Sequence, residues 1–225
     1  IPHIPVLREM LVIGIPSVLM QAIGSVMTFL MNKLLYSFSI EAMNVFSIYF
    51  KLQSFVFMPV FGLTNGMIPI VAYNFGARNK KRVYATIKLS AITAISYMAI
   101  GCLAFQTIPT LLLGMFNSTE AMVKIGVVAL RTISLSFVFA GFGITASSVC
   151  QALGKSIYSL FVSIGRQLVV LIPAAYLLSL ICDVKYVWWA FPISETVSLL
   201  LAIIFLVKVL KQSFSDSDTV LKAEK

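Results

Sequence analysis

Four ionisable residues, Lys51, Arg131, Arg166 and Glu195, stand inside long apolar runs of the chain. A charge at such a position is costly in a bilayer unless it is paired or hydrated. Each therefore marks either a structural ion pair or a polar cavity. Glu195 is the only acid clearly within such a run, and Arg131 and Arg166 are about three turns deep in theirs. The economical expectation is a structural pair in which Glu195 neutralises Arg131 or Arg166. The functional alternative is a cavity in which one of these ions meets a substrate or a proton. Lys51, about two turns from the end of its run, either snorkels outward along its aliphatic stem or faces a cavity. No enzyme chemistry accompanies these charges. The lone His3 and the cysteines Cys102, Cys150 and Cys182 have no metal-ligand spacing, and the cysteines read as small packing residues. Neither a Walker loop nor a Ser-His-Asp arrangement is present. That excludes ATP-driven work within the chain and leaves gradient-driven transport, passive conduction or a structural role.

Backbone chemistry adds a second set. Six of the eight prolines fall within apolar runs: Pro16, Pro59, Pro69, Pro109, Pro173 and Pro192. Each removes a donor and bends a helix. Pro59 and Pro69, ten residues apart on one helix, bend it at related azimuths, as in a transporter or in ordinary membrane-helix composition. Between them lies Gly62-Leu63-Thr64-Asn65-Gly66. The two glycines predict close helix packing, with Asn65 hydrogen-bonding across the contact.

The elements that must position these residues are membrane helices. The chain has 225 residues, 60% hydrophobic and only 11% charged, with mean hydropathy +0.99. A soluble domain carries roughly a quarter charged residues. Soluble enzyme, disordered tail and secreted disulfide scaffold are thereby excluded. About 20 apolar residues span a bilayer, and charge-free stretches of 23, 26 and 31 residues follow Glu9, Lys51 and Lys88. The predicted fold is all-α and polytopic, with six transmembrane helices at about 10–31, 44–75, 83–113, 121–153, 156–181 and 186–210, forming one lobe over 1–211. Ser118 and Thr119 are N-cap candidates for the fourth span. Gly76 and Gly154 are C-cap glycines with bases beyond them. Trp188 and Trp189 open the sixth span as interfacial anchors. Residues 212–225 read as a polar, disordered cytoplasmic tail. Ile1 is not Met and no signal peptide precedes the first span, which predicts a fragment or a missing start.

Net charge is +9. With the start placed in the cytoplasm, the inner segments hold eleven bases: Arg8, Arg78, Lys80, Lys81, Arg82, Lys88, Lys155, Lys208, Lys211, Lys222 and Lys225. The outer segments hold three, Lys33, Lys124 and Lys185. The positive-inside rule then predicts both termini in the cytoplasm of a bacterial-type plasma membrane. Bases placed in this way do not make a nucleic-acid surface.

Gly14-Ile15-Pro16-Ser17, Met58-Pro59 through Gly62, and Pro69-Ile70-Val71-Ala72-Tyr73-Asn74-Phe75-Gly76-Ala77-Arg78-Asn79 with Arg82 resemble the multidrug and toxic compound extrusion (MATE) family. So do Gln151 through Lys155, Arg166-Gln167 with Pro173, and Trp188 through Pro192 with Glu195. The resemblance covers nearly the whole chain in order. It implies the second half, helices seven to twelve, of a twelve-helix secondary antiporter with two pseudo-symmetric lobes around a central cavity. Such proteins export cationic, amphipathic compounds in exchange for protons or sodium ions. The partners implied are the missing N-terminal six-helix lobe, a small cationic or amphipathic substrate and the lipid bilayer. No cofactor is implied beyond the coupling proton or sodium ion. Some branches place coupling carboxylates on the seventh and tenth helices. Here the first span offers Gln21, Gly24 and Ser25 instead, and the fourth has no acid after Glu120. The coupling carboxylate is therefore expected in the other lobe. Cavity-facing candidates are Gln21, Lys51, Gln53, Asn65, Arg131, Arg166 and Glu195. Two alternatives remain open: a lipid-linked saccharide flippase of the same superfamily, whose cavity would be cationic, and a stand-alone channel or assembly subunit.

Overall fold

Every element in the computed structural model is helical. It describes the backbone of residues 4–180 and 183–223, and not the side chains of residues 5, 6, 8, 9, 13 and 215–223. His3 and Cys182 lie outside the described residues. In chain order the elements are α1 (Ile4–Tyr36), α2 (Ile40–Gly76), α3 (Lys80–Thr107), α4 (Pro109–Gly114), α5 (Glu120–Ser134), α6 (Phe137–Ala152) and α7 (Ser156–Ile164). A π-helical segment (Gly165–Leu171), α8 (Ile172–Ser179), α9 (Val184–Val187) and α10 (Ala190–Ala223) complete the chain. Five helical stretches are long and apolar enough to cross a membrane, and a bent pair, α5 with α6, supplies the sixth.

Local chemistry sets the boundaries. Ser39 caps α2 by accepting from the Ala42 amide at 3.0 Å. Asn79 caps α3 by accepting from Arg82. Thr119 caps α5 by accepting from Met122, whereas Ser118 turns back and donates to the Leu113 carbonyl. The turns after α2 and α6 share one hydrogen-bond pattern. Arg78 and Asn79 donate to Phe75 and Asn74, as Gly154 and Lys155 donate to Gln151 and Cys150. In the second turn Gly154 takes the left-handed position (φ +72°). In the first turn Arg78 (φ 55°), not Gly76, takes it.

Four predicted spans differ in the structure. The third stops at Thr107, because Pro109 has no amide to donate and forces Ile108 out of helical geometry (φ −124°, ψ 37°). The fourth breaks between Ser134 and Phe137 with a 49° bend and no proline. There Gln106 donates to the Arg131 carbonyl at 2.7 Å and to Ser134 Oγ, and Ser136 Oγ donates to Ile133 at 2.6 Å. Side-chain donors thus take carbonyls that the helix would otherwise use. The fifth crosses the π segment just before Pro173. Pro173 cannot donate to the Val169 carbonyl, and its ring crowds that carbonyl, so the wider register relieves both. The sixth begins with α9, and α10 runs on through 212–223, where the sequence predicts a disordered tail. No Gly or Pro interrupts that stretch.

The main core gathers Phe46, Tyr49, Trp188 and Phe191, with Phe50 packed edge-on to Phe46 at 4.7 Å. Trp188 is fully buried on Phe46 rather than interfacial, and only Trp189 is exposed. A smaller core of Met67, Val71, Val83, Val149, Leu153 and Val209 closes the opposite end. Outward faces carry Val18, Phe29, Leu89, Ile100, Leu103 and Ile204 in the open, a surface suited to lipid and not to water.

Candidate functional site

Tyr49, Gln53 and Phe57 recur every four residues on α2 and so share one face. That face borders a cavity of about 60 Å³. Arg166 and Gln167 reach it from the π segment, Ser194 and Glu195 from α10, Ser136 from the α5–α6 joint and Met27 from α1. Arg166 Nη1 donates to Glu195 Oε1 at 2.9 Å, with the two side chains 29% and 13% exposed. The pairing partner of Glu195 is thus Arg166, not Arg131. One guanidinium N–H of five is used on Glu195, so further donors remain for water in the cavity. Gln53 Oε1 is buried without a hydrogen-bond partner. A volume of about 60 Å³ gives room for water and lies far below the several hundred Å³ of a drug-sized site. The arrangement holds an ion pair across helices five and six of the lobe, beside a cavity that water can enter.

The remaining predicted residues lie elsewhere. Gln21 is exposed on α1 and Asn65 on α2. Arg131 is exposed on α5, and no ion pair joins it among the described residues. Lys51 turns toward the turn that follows α4, with Nζ 5.8 Å from the Phe116 ring centroid. This is the outward course, reinforced by a cation–π contact. Pro59 and Pro69 are exposed on α2.

Gly62 and Gly66 have no neighbouring atom within 4 Å of an added Cβ. The predicted glycine contact is therefore not made among the described residues. Instead Met58, Pro59, Gly62, Asn65, Gly66 and Pro69 form one open face of α2, turned away from the Tyr49–Gln53–Phe57 face. The close backbone approach occurs at Gly141, whose added Cβ would lie 3.2 Å from the Ala94 carbonyl oxygen of α3. Sequence reasoning missed Tyr49, Ser136, Gln167 and Ser194. Tyr49 had a signal in its spacing from Gln53. Ser136 had none, because the helix break that places it at the cavity depends on Gln106, thirty positions away in the chain.

Comparison with known proteins places this geometry among relatives. The MatE family model matches residues 16–177. The multidrug export protein MepA of Staphylococcus aureus is 28% identical over 204 residues, covering 90% of this chain and 45% of MepA. The solved structure of the MATE multidrug transporter DinF-BH superposes with a TM-score of 0.80 at 30% identity, covering 91% of this chain and 46% of that one. A MOP superfamily transporter from Pyrococcus furiosus superposes with a TM-score of 0.89 at 20% identity, over 95% of this chain and 48% of that one. The chain spans about half the length of the relatives it matches.

Proposed function

The chain belongs to the MatE family of membrane transporters, and from that premise we propose that it is the C-terminal six-helix lobe of a secondary multidrug antiporter. In this reading it exports cationic, amphipathic compounds against a proton or sodium gradient, together with a second six-helix lobe. The open face of α2 carries the proposal. Pro59 and Pro69 cannot donate to the carbonyls of Phe55 and Asn65, and Phe55, Asn65, Gly62 and Gly66 are all exposed. Backbone groups freed in this way are tolerated at membrane depth only against protein or a water-lined cavity. A second lobe, with the substrate path between the two, supplies both. Gln21 and Asn65 are then path-facing residues. The Arg166–Glu195 pair, closed within this lobe, holds its helices together.

The deciding experiment uses the full-length protein in proteoliposomes loaded with a fluorescent cationic dye. Dye efflux driven by an imposed proton or sodium gradient is expected, with Asn65→Phe lowering it at least tenfold while folding is retained. No gradient-driven efflux of any cationic dye would overturn the proposal.

A further inference from the structure

Two helix breaks enclose one piece of the lobe. The backbone leaves helical geometry at Ile108, between α3 and α4, and again at Leu135–Ser136, between α5 and α6. The chain between them, α4, its turn and α5, forms a cap. Its two helices fit closely, since an added Cβ at Gly126 of α5 would lie 2.7 Å from Leu113 Cδ1 of α4. Beyond the second break α6 is anchored, with Phe137 and Ala140 buried and Gly141 against the Ala94 carbonyl of α3. Ala129, Leu130 and Ile133 of α5 are buried in the core, which limits any turn of the cap to a small angle.

Gln106 joins the two breaks. It stands two residues before the first, and its Nε2 donates to the Arg131 carbonyl at 2.7 Å and to Ser134 Oγ at 2.9 Å, just before the second. Ser134 Oγ donates to the same Arg131 carbonyl at 3.1 Å. In an uninterrupted α-helix that carbonyl accepts from the amide four residues on, that of Leu135. Here the Leu135 amide is directed at Ile133 instead. One carbonyl thus has two alternative donors, the Leu135 amide in a straight helix and the Gln106 side chain in the bent one. No proline lies between Glu120 and Ala152, so the covalent chain permits both, unlike the joint at Pro109. Ser136, next to the exchanging amide, lines the Arg166–Glu195 cavity. Phe116, in the turn of the cap, holds Lys51 Nζ of α2 at 5.8 Å from its ring centroid. The cap therefore meets the ion-pair cavity at its base and α2 at its tip. We propose that Gln106 is a latch, and that its exchange with the Leu135 amide on the Arg131 carbonyl turns the cap about the Leu135–Ser136 joint and resets Ser136 at the cavity. Gln106 is then a positioning residue, with the joint as the hinge. The use of such a turn in transport rests on the antiporter reading above, whereas the bond exchange belongs to this lobe alone.

The test reads the position of the cap directly. Full-length protein, its native cysteines replaced, carries spin labels on Lys124→Cys in the cap and Ile92→Cys on α3, both exposed sites. Their distance distribution is measured by double electron–electron resonance in lipid nanodiscs, without a gradient. At about 1.5 Å per residue Lys124 stands roughly 16 Å from the joint, so a turn of about 15° moves its label by about 4 Å. Gln106→Leu removes both bonds of the latch at similar side-chain size. It is expected to raise the population of a second, displaced distance by about two- to tenfold for each net hydrogen bond lost. Thr107→Ala deletes a neighbouring hydroxyl that donates to Leu103 of its own helix, and is expected to keep the wild-type distribution. Where Gln106→Leu fails to fold, Ser134→Ala replaces it, with a rise of about two- to tenfold expected. A folded Gln106→Leu or Ser134→Ala protein with the wild-type distribution overturns the latch, as does an equal change in Thr107→Ala. Because the distances need no transport, a protein that exports no dye defeats the antiporter reading and leaves this test intact.

Discussion

Removing Glu195 takes from the Arg166 guanidinium its carboxylate partner, beside Tyr49 and Phe191. Breaking a fully buried pair by deleting one partner costs about 3–5 kcal/mol. Arg166 retains 29% exposure, which lets water screen part of that loss. Glu195→Ala is therefore expected to destabilise the lobe on the order of 2 kcal/mol, read as a lower thermal midpoint in detergent. Replacing both residues, Arg166→Met with Glu195→Leu, is expected to recover most of it. A double variant as unstable as Glu195→Ala would mean that the pair does more than neutralise charge. The two matching helix ends supply an internal comparison at the same scale. Arg78 sits at φ 55° where Gly154 sits at φ 72°. A side chain there costs about 1–2 kcal/mol relative to glycine, partly offset by the greater freedom glycine loses on folding. Arg78→Gly is expected to raise the thermal midpoint slightly and Gly154→Ala to lower it. Shifts of the same sign would show that the two turns are not held by the same backbone constraint.

At the scale of elements, glycine position decides which helices touch. Gly141 leaves room for Ala94 and Met98 of α3, the latter 3.0 Å from an added Cβ, and a backbone carbonyl cannot yield as a flexible side chain does. Gly141→Val is expected to destabilise the lobe by about 1–3 kcal/mol or more through overpacking. Gly62→Ala and Gly66→Ala, with open space around them, are expected to keep or slightly raise its thermal midpoint, since alanine suits a helix interior better than glycine by about 0.5–1 kcal/mol. A destabilised Gly62→Ala would place a packing partner on that face within the lobe. The contrast explains what the sequence can and cannot reveal. The long charge-free runs made the spans legible, and Thr119 before Glu120 marked a helix start, because those signals are local. The glycine pair at 62 and 66 is an equally local signal, but what it faces depends on the whole packing arrangement. The bend after Ser134 was illegible because it needs Gln106 of another helix. Trp188 suggested an interface by residue type, and its neighbour Phe46, distant in sequence, placed it in the core instead. The ion pair was half legible. A pair of Glu195 with Arg131 or Arg166 was the economical expectation, but only three-dimensional placement selects Arg166.

For the whole molecule, α2 is the element that joins the interior of the lobe to its exterior. One face lines the cavity of the Arg166–Glu195 pair through Gln53, and the other presents Pro59, Asn65 and Pro69 to the outside. If the second lobe lies against that outer face, alternating access requires α2 to change its contacts while its inner face stays packed. The prolines lower the cost of such a change, since each removes one backbone hydrogen bond that bending would otherwise break. Neither proline is needed to fold the lobe, because α2 is one continuous helix from Ile40 to Gly76 with both prolines on its exposed side. Replacing both by alanine is therefore expected to raise the thermal midpoint of the full-length protein by restoring two amides. The same double variant is expected to slow gradient-driven dye efflux at least tenfold, with dye affinity within about twofold of wild type, because binding energy that does not change between states cannot drive the transition. Unchanged efflux in a stabilised variant would assign the conformational change to rigid rocking of the lobes and leave α2 a passive wall.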